Sequence, residues 1–253
     1  MGRFHRHDDG TVHTHDHDHD HGDHSGYETG SKRIDVLEAI FAENDTRADY
    51  NREAFESNGV RALNLMSSPG SGKTTVLGAT LDELANEFAV GVIEGDIATD
   101  LDAAKLGGRG AQISLLNTGN GFGGECHLDA PMVNRALQGL DLAGLDLVII
   151  ENVGNLVCPA EFDVGEHAKA MVYSVTEGDD KPLKYPVMFR AVDVVLLNKV
   201  DLVPYLDIDV DSYIAHVRQV NPSATIFPVS ARTGEGMANW FGWLRQFMAG
   251  STA

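Results

Sequence analysis

The chain has 253 residues, of which 43% are hydrophobic, and it carries a formal net charge of −19. This length suits one large α/β domain or two small ones. The negative charge repels phosphate backbones and anionic lipid, and no apolar run reaches the length of a membrane span, so we expect no nucleic acid and no membrane as partners.

The amino terminus has no apolar export segment, and the only two cysteines are Cys126 and Cys158. In a chain without an export signal, cysteines are expected as thiols rather than as a disulfide. The sequence therefore predicts a cytoplasmic protein.

Residues 1–30 consist mainly of Asp, His and Gly, and they contain eight of the eleven histidines. They hold too little apolar surface to offset chain entropy, so we predict a disordered tail. Alternating imidazole and carboxylate groups suit a metal buffer; a purification tag is the alternative, which the interleaved aspartates disfavour. The expected ligands of this tail are His13, His15, His17, His19, His21 and His24.

Residues 31–253 are expected to form one domain that starts with a helix over 31–58, because Ile34, Leu37, Ile40 and Phe41 recur at helical spacing. After it, short apolar runs alternate with amphipathic segments. Strands are predicted within 60–66, 88–95, 111–118, 145–152, 168–175, 192–199 and 224–230, and helices within 73–87, 129–142, 209–220 and 236–248. Such alternation predicts an α/β fold with a mostly parallel sheet covered by helices on both faces.

The segment "MSSPGSGKTT" lies between the first strand of this domain and the next helix. It fits the phosphate-loop pattern G-x-x-x-x-G-K-[ST], except that Ser67 replaces the first glycine. In such a loop, backbone N–H groups surround the phosphates, Lys73 bridges the β- and γ-phosphates, and Thr74 binds Mg²⁺. The expected contacts are Pro69, Gly70, Ser71, Gly72, Lys73, Thr74 and Thr75.

The segment "LLNKVDLVP" places Asn198, Lys199 and Asp201 in the pattern N-K-x-D at a strand end. An aspartate there would accept two hydrogen bonds from guanine N1–H and N2–H₂, and adenine would leave that carboxylate unpaired. We expect Asn198 to reach the other base edge, the Lys199 stem to cover the ring, and Ser230–Ala231 to offer a backbone N–H to guanine O6. Together with the phosphate loop, this predicts a P-loop NTPase specific for GTP.

Asp96 and Glu151 each follow or end a predicted strand, so we expect both near a Mg²⁺ that Thr74 and the phosphates hold. Solvated strand-end carboxylates are the alternative. Segments 96–109 and 152–166 are the expected switch regions, with Gly154 as the γ-phosphate sensor. The sequence reveals no glutamine or arginine that would orient the attacking water, so we predict slow turnover.

Cys126, His127 and Cys158 lie beside this predicted nucleotide machinery. Two thiolates and an imidazole suit Ni²⁺ or Zn²⁺ and leave the coordination shell open. Two small buried cysteines and a surface histidine would explain the same residues.

The segments "SSPGSGKTT", "EGDIATDLDA", "GECHLDA", "ENVGNLVCPAEFDVGEH" and "NKVDL" resemble the HypB family of hydrogenase nickel-incorporation GTPases over about 31–250. The resemblance implies a GTP-dependent homodimer and a nickel or zinc site at Cys126, His127 and Cys158. It implies nickel delivery to the [NiFe]-hydrogenase large subunit and a HypA-type zinc-containing nickel chaperone as partner. Some members carry an amino-terminal C-x-x-C-G-C nickel motif, which is absent here because no cysteine precedes Cys126, and others carry a histidine-rich leader, so the resemblance implies that the tail is a nickel buffer.

Three alternatives remain at this stage. A urease accessory GTPase is disfavoured because its Cys-Pro-His triplet and "ESGG" strand end are missing. A nickel storage protein would bind many ions without nucleotide dependence. A small-molecule kinase is disfavoured by the N-K-x-D pattern.

Overall fold

The computed structural model describes residues 5–6, 12–13, 29–95, 106–116, 127–155 and 158–250. The chain divides into two units, Met1–Ile40 and Phe41–Ala253. In the first unit, β1 (His5–Arg6) pairs antiparallel with β2 (Val12–His13). The tail histidines predicted at positions 15, 17, 19, 21 and 24 lie outside the described residues.

A long helix, α1 (Thr29–Ser57), occupies the position predicted for a helix over 31–58. The division between the two units falls inside it. The helix ends before Gly59, whose φ of 71° is a left-handed conformation that glycine adopts without steric cost.

The second unit contains a seven-stranded sheet in which all pairings are parallel. Its strands are β3 (Arg61–Ser67), β4 (Val90–Glu94), β5 (Gln112–Leu115), β6 (Leu147–Glu151), β7 (Ala168–Ser174), β8 (Val194–Asn198) and β9 (Thr225–Pro228). Their spatial order is β5-β4-β6-β3-β7-β8-β9. Each strand lies within a predicted apolar run, except that β3 ends one residue beyond its run.

The helices that follow α1 are α2 (Lys73–Leu84), α3 (Ala130–Leu137), α4 (Cys158–Glu161), α5 (Lys181–Lys184), α6 (Pro186–Arg190), α7 (Val210–Val220) and α8 (Met237–Met248). Four of them correspond to predicted helices, and the short helices α4, α5 and α6 were not predicted. None of the helices in the described ranges is long and apolar enough to cross a membrane.

Alternate residues of the central strands bury their side chains on opposite faces of the sheet. Leu63 packs with α2 and α8 on one face, whereas its neighbour Ala62 packs with α1 and α3 on the other. Helices therefore cover both faces, as predicted. Because all seven strands run in the same direction, their carboxyl ends meet at one edge, where the described residues of the predicted nucleotide site lie.

Candidate functional site

The predicted phosphate loop connects β3 to α2. Gly70 and Gly72 have φ values of 72° and 99°, which favour glycine, and Lys73 is the first residue of α2. A Cβ on Gly72 would lie 2.5 Å from Asn198 Nδ2, so this glycine is required for close packing against the N-K-x-D loop. Ser67 ends β3 and does not have a positive φ, so a glycine is not needed there.

Lys73 and Thr74 both contact one carboxylate oxygen of Glu151. Lys73 Nζ lies 2.8 Å from Glu151 Oε1, and Thr74 Oγ1 donates to the same oxygen at 2.9 Å. Lys73 is 5% exposed and Glu151 is 0% exposed. The loop, the start of α2 and the end of β6 are thus joined by one buried ion pair.

The other oxygen of this carboxylate, Glu151 Oε2, is buried and has no hydrogen-bond partner among the described residues. Beside it lies Thr74, the predicted Mg²⁺ ligand. Carboxylate and hydroxyl oxygens are the donors that Mg²⁺ prefers, so this corner of the site fits that cation. Asp96, the other predicted ligand, lies outside the described residues, although Gly95 N donates to Glu151 O at 3.0 Å.

The N-K-x-D residues follow β8 and contact the phosphate loop directly. Asn198 Nδ2 donates to Ser71 O at 2.9 Å, and Asn198 Oδ1 accepts from Ala231 N at 3.1 Å. Lys199, whose φ is 66°, donates from Nζ to Gly70 O at 2.5 Å. We expected Asn198 and the Ala231 N–H to face the base, but here they bind each other. Asn198 therefore joins the phosphate loop to the loop that contains Ala231.

Asp201 lies at a cavity of about 170 Å³ beside these loops. Its Oδ1 accepts from Ser230 Oγ at 2.7 Å, and its Oδ2 lies 3.6 Å from Arg232 Nη1. The cavity is lined by Gly72, Thr75, Asn198, Lys199, Asp201, Leu202, Ser230, Ala231 and Arg232. Arg232 was not among the residues predicted from the sequence.

The second predicted switch begins beside the phosphate loop. A Cβ on Gly154 would lie 3.5 Å from Pro69 Cα, so this segment begins in contact with the phosphate loop. A further contact comes from α5, where Lys181 Nζ donates to Ser68 Oγ at 2.7 Å. Lys181 was missed because it belongs to a helix of four residues that has no motif and no readable periodicity.

Of the three predicted nickel or zinc ligands, only His127 has a described side chain. Its ring stacks on Phe162, with ring centroids 4.1 Å apart. Cys126 lies outside the described residues; Cys158 opens α4, but its side chain is likewise not described. Among the described residues, no three potential ligands come together.

A family model described as "CobW/HypB/UreG, nucleotide-binding domain" matches residues 61–228. The hydrogenase maturation factor HypB of Azotobacter chroococcum mcd 1 is 51% identical over 218 residues, which are 85% of this chain and 70% of that protein.

Two solved structures are also similar. HypB from Archaeoglobus fulgidus has a TM-score of 0.76 and 38% identity, with 82% of this chain and 99% of that chain covered. HypB from Helicobacter pylori in complex with nickel has the same TM-score at 36% identity, with 82% and 95% covered.

Proposed function

Because the chain belongs to the HypB family of hydrogenase maturation factors, we propose that it is a GTP-hydrolysing nickel metallochaperone. It delivers nickel during maturation of [NiFe]-hydrogenase. The observation that carries the proposal is the direct connection between phosphate loop and base loop through Asn198, with Asp201 at the adjoining cavity.

Asp201 is the residue proposed to recognise guanine. Its carboxylate, held by Ser230 Oγ, would accept from N1–H and N2–H₂ of the base. An adenine would leave this carboxylate without those donors, which costs the desolvation free energy of a charged group. Asn198 and Lys199 fix the loop, while Thr75 and Ala231 line the same cavity.

The residues proposed to take part in hydrolysis are Lys73, Thr74, Glu151 and Asp96. The ammonium of Lys73 would stabilise charge that develops on the transferred phosphoryl group. Thr74 and Glu151 would hold Mg²⁺, with Asp96 as a further ligand, and the cation would supply electrostatic stabilisation of the phosphates. Since no residue for orienting water has been identified, turnover is expected to be slow.

Nickel is the cargo, and its proposed ligands are Cys126, His127 and Cys158. Support comes from the soft donor set and from the similar H. pylori protein, which was solved in complex with nickel. The tail of residues 1–30 would raise the local nickel concentration near the domain of residues 31–253. Zn²⁺ would suit the same thiolates.

The proposed partners are a HypA-type zinc-containing nickel chaperone, the [NiFe]-hydrogenase large subunit and a second copy of this chain in the GTP-bound state. A cytoplasmic location is proposed with them. Two of the alternatives predict different results: a kinase would use ATP, and a storage protein would bind nickel equally in every nucleotide state.

Nucleotide competition tests the GTPase. GTP should displace a bound fluorescent GDP analogue and be hydrolysed slowly, whereas ATP should do neither. Equal displacement by ATP would remove the proposed role of Asp201.

Nickel titration tests the metallochaperone. Cys158→Ala should weaken nickel binding and reduce the nickel–thiolate charge-transfer absorption, and it should leave GDP affinity nearly unchanged, because α4 does not carry the nucleotide residues. Deletion of residues 1–30 should remove most nickel capacity and leave GTP turnover unaltered. An unchanged absorption in Cys158→Ala would move the nickel site elsewhere.

A further inference from the structure

Asn152 follows Glu151 directly and has no exposed surface. Its Oδ1 accepts from Leu128 N at 3.0 Å and from Val153 N at 2.9 Å. Its Nδ2 donates to Asn64 Oδ1 at 3.3 Å. A buried amide with three partners is held in one orientation, because each lost hydrogen bond would leave a polar group unpaired away from water.

The Leu128 end of this contact adjoins His127, a proposed nickel ligand. Leu128 is itself fully buried, and its side chain lies so close to Gly95 that a Cβ there would come within 2.6 Å of Leu128 Cδ1. Asp129 then caps α3 by accepting from Met132 N at 2.7 Å. The backbone just after His127 is therefore anchored, and Asn152 is one of its anchors.

The other end of the contact continues through β3. Asn64 Nδ2 donates to Glu166 Oε1 at 3.3 Å, and Glu166 Oε2 accepts from Val164 N at 2.7 Å. Burial raises the pKa of Glu166. Asn152 thus belongs to a buried polar chain that reaches residues 164–166, shortly after the helix that Cys158 opens.

Asn152 is joined by one peptide bond to Glu151, which contacts the phosphate loop. Glu151 contacts both Lys73 and Thr74, the residues proposed to bind the phosphates and Mg²⁺. A shift of Glu151 between the GDP and GTP states would move Asn152 as well. Leu128 N would then have to follow its acceptor, since a buried N–H left unpaired loses the hydrogen bond without gaining one to water.

We infer that Asn152 is the positioning residue through which the nucleotide site changes nickel affinity at the His127 loop. The inference rests on the proposed function, because it needs both a GTP site and a nickel site. It requires no contact between Asn152 and either ligand. By linkage, the same residue would make GTP affinity depend on nickel to the same degree.

The test measures nickel affinity of the full chain with GDP and with a non-hydrolysable GTP analogue. Nickel–thiolate charge-transfer absorption reports only the cysteine site, because no cysteine precedes Cys126. The tail competes equally in both nucleotide states, so the ratio of the two affinities is unaffected by it. In the wild type this ratio should be at least about five-fold.

Asn152→Ala and Asn152→Ser should bring this ratio to within about two-fold of unity. Serine keeps an oxygen near Val153 N but is too short to reach Leu128 N, so it decides the question if the alanine variant does not fold. GDP affinity should stay within about three-fold of wild type, because a nucleotide site that is intact rules out general damage.

Asn221→Ala is the matched control. Asn221 is also buried, and it donates to Phe189 O and Val192 O at 2.8 and 2.9 Å, away from both loops. It should keep the wild-type ratio. The inference is overturned if the Asn152 variants keep the ratio or if Asn221→Ala loses it. Equal nickel affinities in the wild type would overturn the proposed function and the inference together.

Discussion

The nucleotide half of the site and the surroundings of His127 are held in place by different kinds of contact. In the nucleotide half, motif residues bind one another or one another's loops, as Lys73 binds Glu151 and Asn198 binds Ser71. Around His127, buried asparagines of other elements bind the backbone of Leu128 and Ala130, and the His127 ring itself stacks on Phe162.

Two of these asparagines belong to α1. Asn44 donates to Asp163 O and accepts from Ala130 N, at 2.8 and 2.9 Å. Asn51 donates to Ala130 O and Val164 O, at 2.9 and 3.1 Å. The proposed functional residues of the nucleotide half are therefore held by one another. The loops near the proposed nickel ligands are instead held by α1, which is far away in sequence.

The most severe change expected in the nucleotide half is Lys73→Ala. It should reduce GTP hydrolysis by at least about 10²–10³-fold, because phosphoryl charge loses its nearest cation. It should also lower the free energy of unfolding by about 3–5 kcal/mol, because Glu151 would remain buried without its partner. GTPase assays and urea unfolding measure the two effects. Lys184→Ala, at an exposed lysine paired with Asp180, is the control and should change neither. Retained hydrolysis would place the phosphate site elsewhere.

Asp201→Asn tests the nucleotide half more selectively, because it changes the proposed contact with the base without removing the side chain. Two charge-assisted hydrogen bonds to guanine would be lost, so GTP affinity should fall by roughly 10²-fold. Affinity for xanthosine triphosphate should rise, because xanthine presents a carbonyl where guanine has its amino group. Competition binding measures both nucleotides. The exposed Asp207→Asn should leave them unchanged, and an undiminished GTP affinity in Asp201→Asn would contradict the assignment.

Asn51→Ala tests the contacts that hold the loops around His127. The variant leaves the carbonyls of Ala130 and Val164 without their buried donor, so the free energy of unfolding should fall by about 2 kcal/mol. Asn58→Ala removes an exposed hydrogen bond just after the same helix and should cost less than about 0.5 kcal/mol. Urea unfolding distinguishes them. Equal losses would mean that burial of the asparagine has no special weight here.

The smallest effect is expected from pH and concerns His167, whose Nδ1 accepts from Ala62 N at 2.9 Å. Burial lowers the pKa of His167 below 6.5, and protonation of Nδ1 would break this hydrogen bond. Between the folded-state pKa and 6.5, the unfolded chain binds more protons, so stability rises with pH across that window and is lost as pH falls through it. Unfolding curves at pH 5 and pH 8 measure the difference. His167→Gln, which still offers an acceptor, should reduce it; an unchanged pH dependence would assign the effect to other groups.

The strands and the longer helices of the fold could be predicted from residue patterns in the sequence. The seven apolar runs predicted the seven strands of this sheet because the central strands of a parallel sheet are buried on both faces and are therefore rich in apolar residues. The helices α5 and α6 were missed because four or five residues are too few to establish a 3.6-residue period.

In the candidate site, too, some contacts follow from motifs in the sequence and others do not. The packing of Gly72 against Asn198 agrees with motifs placed at strand ends that share one edge of the sheet. Asn44 and Asn51 left no such signal, because most of their partners are backbone atoms as many as 119 residues away. A backbone group has no side-chain identity, so no residue pattern reveals its role as a partner.

The close fit between Gly72 and Asn198 also has a consequence for how this protein can change. Any side chain at position 72 would displace the Asn198 amide, which would then release Ser71 O and Ala231 N together. A smaller residue at 198 would relieve this clash but not the strain of a φ of 99°, so substitutions at 72 should be depleted in a saturation library whatever residue stands at 198. Through this one position, a change in the phosphate loop would be inherited together with a change in the loop that follows β8.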